Sequence, residues 1–226
     1  MTATEKIKSR GHWVVRIRPE QYASNPSHSL RHLERAVQES AVALRGWDYP
    51  HYSSQSPPVR SVDYVEQTLD WQHYVELWRA YRSGQFVSMN GLWEDWREQS
   101  DFWPPPQGWR VAQALMIEDV VFRFTEIYEF ASRWLHAMNV SGLAVIACTL
   151  RGLQDRQLIV GPGRVPFIEP RMCRVPEWAS EHTYAMADLF SQARELAVSP
   201  AISLFELFGW DVNPKTIRDI QSHLRS

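Results

Sequence analysis

Residues 62–92 hold three consecutive runs rich in Val, Tyr, Trp and Phe: "VDYVEQTLDW", "YVELWRAY" and "QFVSMNGLW". Short alternating runs of β-branched and aromatic residues fit pleated, half-buried strands. Only "RSG" separates the second run from the third, and strands joined by so short a connection must lie antiparallel. The stretch therefore predicts an antiparallel β-meander. Alternation places Tyr74, Glu76, Trp78 and Ala80 on one face and Val75, Leu77, Arg79 and Tyr81 on the other.

A sheet with an apolar face needs a cover, and residues 111–138 supply the strongest helical signal. Ile117, Val120, Val121, Phe124, Ile127, Tyr128, Ala131, Trp134, Leu135 and Met138 recur at helical spacing, with Asp119, Arg123, Glu126, Glu129 and Arg133 on the other side. Upstream, "HWVVRIRP" reads as a strand ended by Pro19, "NPSHSLRHLERAVQES" as a helix capped by Ser27 or Ser29, and "AVALRGW" as a second strand. Downstream, "GLAVIACTLRGL" and "RQLIV" read as strands joined near Asp155. Helices over about 181–197, 200–208 and 214–225 follow, the last opened by Asn213 and Pro214. Strands grouped without regular β-α alternation give an α+β class: an antiparallel meander (about 62–92) packed on a long helix (about 111–138), with a helical C-terminal third. The 226 residues read as a single domain, within which a mixed core (12–160) and a helical part (175–226) can be marked off.

Composition narrows the function classes. A hydrophobic fraction of 44% is ample for a core, and a net charge of −2 gives no overall pull toward nucleic acid. Arginines number 21 against three lysines, which suits bidentate pairing and stacking on aromatic rings. Cys148 and Cys173 fit neither a disulfide framework nor a Cys-rich zinc site. Apolar runs stay short of the roughly 18 residues of a membrane span, and "MTATEKIKSRGHW" lacks a signal-peptide core. The expectation is a cytoplasmic protein with no membrane partner.

The residues that could carry chemistry concentrate in "RGWDYPH", 45–51. Gly46 permits a positive φ and Pro50 biases Tyr49 to an extended conformation, so the chain must turn here. Two readings compete. Arg45, Asp48 and His51 converge on a ligand between Trp47 and Tyr49; or the segment is a corner, Arg45 paired with Asp48, His51 capping and the rings plugging the core. On the long helix, Arg123 with Glu126 and Glu129 with Arg133 are surface pairs each worth about 0.2–0.5 kcal/mol, or else a face that reads a polar partner. Glu94, Asp95, Glu98 and Asp101 are clustered carboxylates without calcium-loop spacing. His28 and His32 are four apart but lack an acidic or Cys partner nearby. "GPGRVP" lacks the Lys and hydroxyl of a phosphate loop, and Pro104 to Pro106 read as a rigid loop. No catalytic residue, metal site or cofactor is assigned. The candidate binding residues are Arg45, Trp47, Asp48, His51, Arg123, Glu126 and Arg133.

Three stretches, "VALRGWDYPH", "LWRAYRSGQFVSMNGLWEDW" and "FRFTEIYEFASRWL", together resemble a region that follows the AlbA-like, Schlafen-type nucleic-acid-binding domain in some bacterial proteins. The resemblance spans roughly residues 12–138. It implies an accessory or sensing module of a defence or regulatory system and carries no chemistry with it. The expected function is a non-enzymatic binding or interaction module, its partner another protein or a small ligand. Trp-rich edges leave self-association open. The alternatives are a nucleic-acid-binding protein that uses Arg and aromatic stacking, and an enzyme acting on a nucleotide or nucleic acid through unassigned carboxylates.

Overall fold

In the computed structural model, which describes residues 1–22, 28–71, 73–97, 101, 110–161 and 164–224, the N-terminal run "HWVVRIRP" forms β1 (His12–Pro19). The meander follows as β3 (Tyr64–Trp71), β4 (Tyr74–Tyr81) and β5 (Phe86–Gly91), with β2 (Val59–Arg60) at its edge. β7 (Leu143–Arg151) and β10 (Glu177–Ala185) complete a seven-stranded antiparallel sheet of order β10-β7-β1-β5-β4-β3-β2. β1 thus lies inside the sheet, between strands that come much later in the chain. Trp78 opposes Ser88 and Gln67 across the meander, which fixes the register so that Trp78 and Ala80 point to the core.

That inner face is covered by α3 (Ile117–Ala137). Phe124 meets Trp13 of β1 and Trp178 of β10 edge-on, at 5.2 and 5.3 Å between ring centroids. Phe130 and Trp134 pack on Phe86 of β5, and the Trp134 indole donates to Gly84 O at 2.8 Å. One helix therefore ties the meander to β1 and β10. α2 (Leu30–Ser40) lies beside α3, capped by Ser29, whose Oγ accepts from His32 N–H. α4 (Met186–Leu196), α5 (Val198–Glu206) and α6 (Pro214–Gln221) complete the helical layer, and the Asn213 side chain caps α6. The opposite face carries the short α1 (Ala3–Lys8), where Lys6 pairs with Asp70 of β3. The fold is α+β with helices gathered in the C-terminal part.

Three local expectations are corrected. The long helix opens at Ile117, not 111, because Ala112 takes φ 59° and Ala114–Met116 form β6, parallel to β8 (Gln157–Ile159). "AVALRGW" is not a strand: within it only Val42 pairs, with Tyr49. Residues 181–185 are not helical, because β10 pairs along the whole of β7 from Leu143 to Arg151. β8 also pairs with β9 (Arg171–Met172). Glu98 and Pro104 to Pro106 lie outside the described residues.

Candidate functional site

The segment "RGWDYPH" is a loop closed on itself by the backbone. Val42 N–H and Tyr49 N–H each donate to the other's carbonyl at 2.9 Å, so residues 43–48 bulge out between them. Gly46 has φ 88° and nothing within 4 Å of a notional Cβ, so its backbone angle, not space, calls for glycine. The Tyr49–Pro50 peptide is cis. Leu44 and Tyr49 go into the core, and the Tyr49 hydroxyl meets Ser88 Oγ at 2.8 Å. This anchoring delivers Arg45 to the surface of α3 and Trp47 to the meander, against Trp71 and Tyr74.

Arg45 does not pair with Asp48. Its guanidinium reaches α3 instead: Nε and Nη2 donate to both oxygens of Glu126 at 2.8 and 3.1 Å, and Nη1 donates to Asp119. Glu126 is only 2% exposed, so the Arg45 fork supplies the partner its burial requires. Arg123, one turn before Glu126, lies 3.6 Å from it and over the Tyr49 ring. The helix face expected to be solvated is therefore docked under a loop at Asp119, Arg123 and Glu126. Asp48 takes His51 as partner through Nδ1 and accepts from Tyr52 N–H at 3.3 Å. His51 in turn stacks on Trp47 at 4.3 Å, and Trp71 and Tyr74 brace Trp47 at 5.6 and 5.1 Å. Behind this cluster the Tyr74 hydroxyl donates to Glu76, a fully buried carboxyl that also accepts from His51 N–H at 3.2 Å.

Together these residues enclose a cleft of about 330 Å³. Trp47, Tyr74 and Trp93 contribute rings; Arg45, Arg97 and Arg123 face Asp48, Asp119 and Glu126. Three cations meet three carboxylates, so the formal charges of the lining balance. Of the residues singled out from sequence, the fold brings Arg45, Trp47, Asp48, Arg123 and Glu126 to this cleft, with His51 behind Trp47. Arg133 lies elsewhere, bonded to Ala41 O and Glu129, and lines a separate groove against α4. Tyr49 is not a wall, being buried. Sequence reasoning missed Tyr74, Trp93 and Asp119 as members; the alternation of β4 puts Tyr74 on the same face as Glu76, a signal that was present.

Below the floor, Glu94 shares a cavity of about 20 Å³ with Trp13, Arg45, Asp119 and Arg123. Burial raises the Glu94 carboxyl to about 8, and the neighbouring Asp119 adds to the effect. Burial also raises Asp119, against the pull of Arg45, and raises Glu76 against Tyr74 and Arg123. Each of these carboxyls holds its proton more tightly in the fold than in the unfolded chain. Their contribution to stability is full below the ordinary carboxyl range and is lost as pH rises through the raised values. His12 acts in the opposite sense: burial lowers its pKa from 6.5, so its contribution is lost as pH falls. The melting temperature is expected to fall as pH rises from about 6 to 9, and Glu94→Gln to flatten that slope. Thermal melts at fixed ionic strength check it; a wild-type profile flat over that range contradicts the assignment.

The described residues contain no cluster of three or more His, Cys, Asp or Glu able to hold a metal. His28 and His32 stack on each other at 4.6 Å, with their Nε2 atoms 3.1 and 3.2 Å from Met138 O and Ala137 O. They cap the end of α3. Cys148 and Cys173 are buried free thiols. No helix among the described residues is long and apolar enough to cross a membrane. Neither a protein-family model, nor a curated protein, nor a solved structure matches the chain.

Proposed function

We propose that this chain is a non-enzymatic binding module whose cleft takes a small, planar, polar and uncharged ligand of the nucleobase class. The observation that carries the reading is the junction of an aromatic wall with a charge-balanced floor in one cleft of about 330 Å³, a volume at the small end of ligand sites. Trp47 is 40% exposed yet held by His51, Trp71 and Tyr74, so its ring offers a face already in place and loses little freedom on binding. The floor offers donors and acceptors side by side, and Arg123 Nη1 is buried with no hydrogen-bond partner, which leaves a donor for the edge of a planar ligand. A floor whose charges balance favours a neutral polar ligand over an ion.

The test is a calorimetric titration with free nucleobases and nucleosides. Trp47→Ala is expected to weaken binding by about 1–3 kcal/mol, the range for loss of one base–aromatic stack. Its effect on stability stays well below the about 3–5 kcal/mol of a fully buried Trp, because the ring is partly in water. Absence of binding by every base, or equal binding by the variant, overturns the reading. One observation favours a second reading, an enzyme: Asp119 lines the cleft with a raised carboxyl, as a general acid does. Turnover of a nucleoside that Asp119→Asn abolishes while binding persists supports that alternative.

A further inference from the structure

A second cleft, of about 500 Å³, opens where α1 runs into β1, beside the end of β7. Its walls carry Lys8, Arg10, Arg151 and Arg156 against a single carboxylate, Asp95. Asp95 is fully engaged, both of its oxygens accepting from Arg156 at 2.6 Å. Lys8 has no ion pair among the described residues, and Arg151 shares only the exposed Glu177, at 3.1 Å. Arg10 is held in place by stacking on Trp96 at 4.2 Å. On a chain of net charge −2, this is a local concentration of cations.

The wall is also built at close quarters. Gly152, at φ 76°, lies against Gly11 so tightly that a Cβ on it falls 2.9 Å from Gly11 Cα. That approach brings the end of β7 against the α1–β1 junction. His12, 4% exposed, lies in the same wall. Its Nδ1 is 2.8 Å from Arg10 O and must carry a hydrogen to bond it. Burial holds the ring neutral, so Nε2 presents a lone pair, and that atom is buried without a hydrogen-bond partner. An orphaned acceptor among cations is an unusual demand. Cations call for an anion, whereas a lone pair calls for a donor.

We propose that this cleft is a binding site for an oxyanion that also presents an O–H group, with hydrogenphosphate the simplest member and phosphorylated polyols the larger ones. Lys8, Arg10 and Arg151 hold the charge; His12 Nε2 accepts the O–H. Sulfate matches the size and charge of hydrogenphosphate and carries no proton at neutral pH, so the site discriminates between them. The site is independent of the aromatic cleft.

The experiment is calorimetric titration of the full chain at pH 7 and constant ionic strength with inorganic phosphate, sulfate and glycerol 3-phosphate. Phosphate is expected to bind at least about tenfold more tightly than sulfate, and Lys8→Ala and Arg151→Ala each to weaken phosphate by about tenfold or more, as loss of a charge-assisted hydrogen bond does. His12→Gln brings the phosphate-to-sulfate ratio toward one. Should the His12 variant fold poorly, the two surface variants, which leave the core untouched, still decide the matter. Tighter binding of glycerol 3-phosphate than of phosphate identifies a phosphorylated polyol as the ligand class; weaker binding identifies free phosphate. Equal affinities for phosphate and sulfate in the wild type overturn the proposal. So does absence of phosphate binding, or phosphate affinity unchanged in both surface variants.

Discussion

Arg156→Ala is expected to destabilise the protein by about 3–5 kcal/mol, a fall in melting temperature of roughly 6–20 °C for a chain of this size. Arg156 and Asp95 are almost wholly buried, and the guanidinium makes two bonds of 2.6 Å to the carboxylate. It also donates to Ala114 O at 2.9 Å and to Gly152 O at 2.5 Å. Asp95 further accepts from Gly11 N–H at 2.7 Å. The pair therefore ties the turn after β5 to β6, to the end of β7 and, through Asp95, to the start of β1. Removing it strands a buried negative charge and leaves two carbonyls without their donor, and an uncompensated buried charge costs far more than the intact pair contributes. Asp95→Ala exposes the opposite charge and is expected to cost a similar amount. Thermal and urea melts of both variants measure the effect; a loss under about 1 kcal/mol for Arg156→Ala means that water reaches the pair.

The second large effect is at Arg45. Arg45→Ala strips Glu126 of its bidentate partner and Asp119 of a cation, and about 3 kcal/mol is expected, the lower end of the range because the Arg45 side chain is 23% exposed. Asp48→Ala loses a partly exposed contact with His51 and is expected to cost less than about 1 kcal/mol. A double-mutant cycle separates the partners. Arg45 and Glu126 should couple by about 1–3 kcal/mol, whereas Arg45 and Asp48 should add to within about 0.5 kcal/mol. Strong coupling between Arg45 and Asp48 restores the simple corner and removes the floor of the cleft.

The meander and the long helix were legible because each buries one face only, so the alternation of Trp78 with Ala80 and the recurrence of Phe124, Ile127 and Trp134 are printed directly in the chain. Topology was not. The central place of β1 depends on pairing with β5 and β7, and no local pattern in "HWVVRIRP" encodes which strands will flank it. "EWASEHTYA" read partly as helix because Ala and Glu favour helices; pairing with β7 overrides that preference. The site was half legible. Arginine, tryptophan and a turn-forming glycine marked residues 45–51, and sequence proximity suggested Asp48 for Arg45. The partners actually used lie 74 and 81 residues away, on a helix face that looks solvated until the loop docks on it. The pairing of Arg156 with Asp95, 61 residues apart, left no sequence signal at all.

The most direct measurement of the central claim is the indole N–H region of a ¹⁵N correlation spectrum, followed during titration with nucleobases. The chain carries eleven tryptophans, and Trp47→Phe and Trp93→Phe assign the two in the cleft. Ligand is predicted to shift the Trp47 and Trp93 signals and to leave those of the buried Trp78 and Trp134 in place. No shift at Trp47 or Trp93 at saturating base, or shifts confined to the other indoles, contradicts the account.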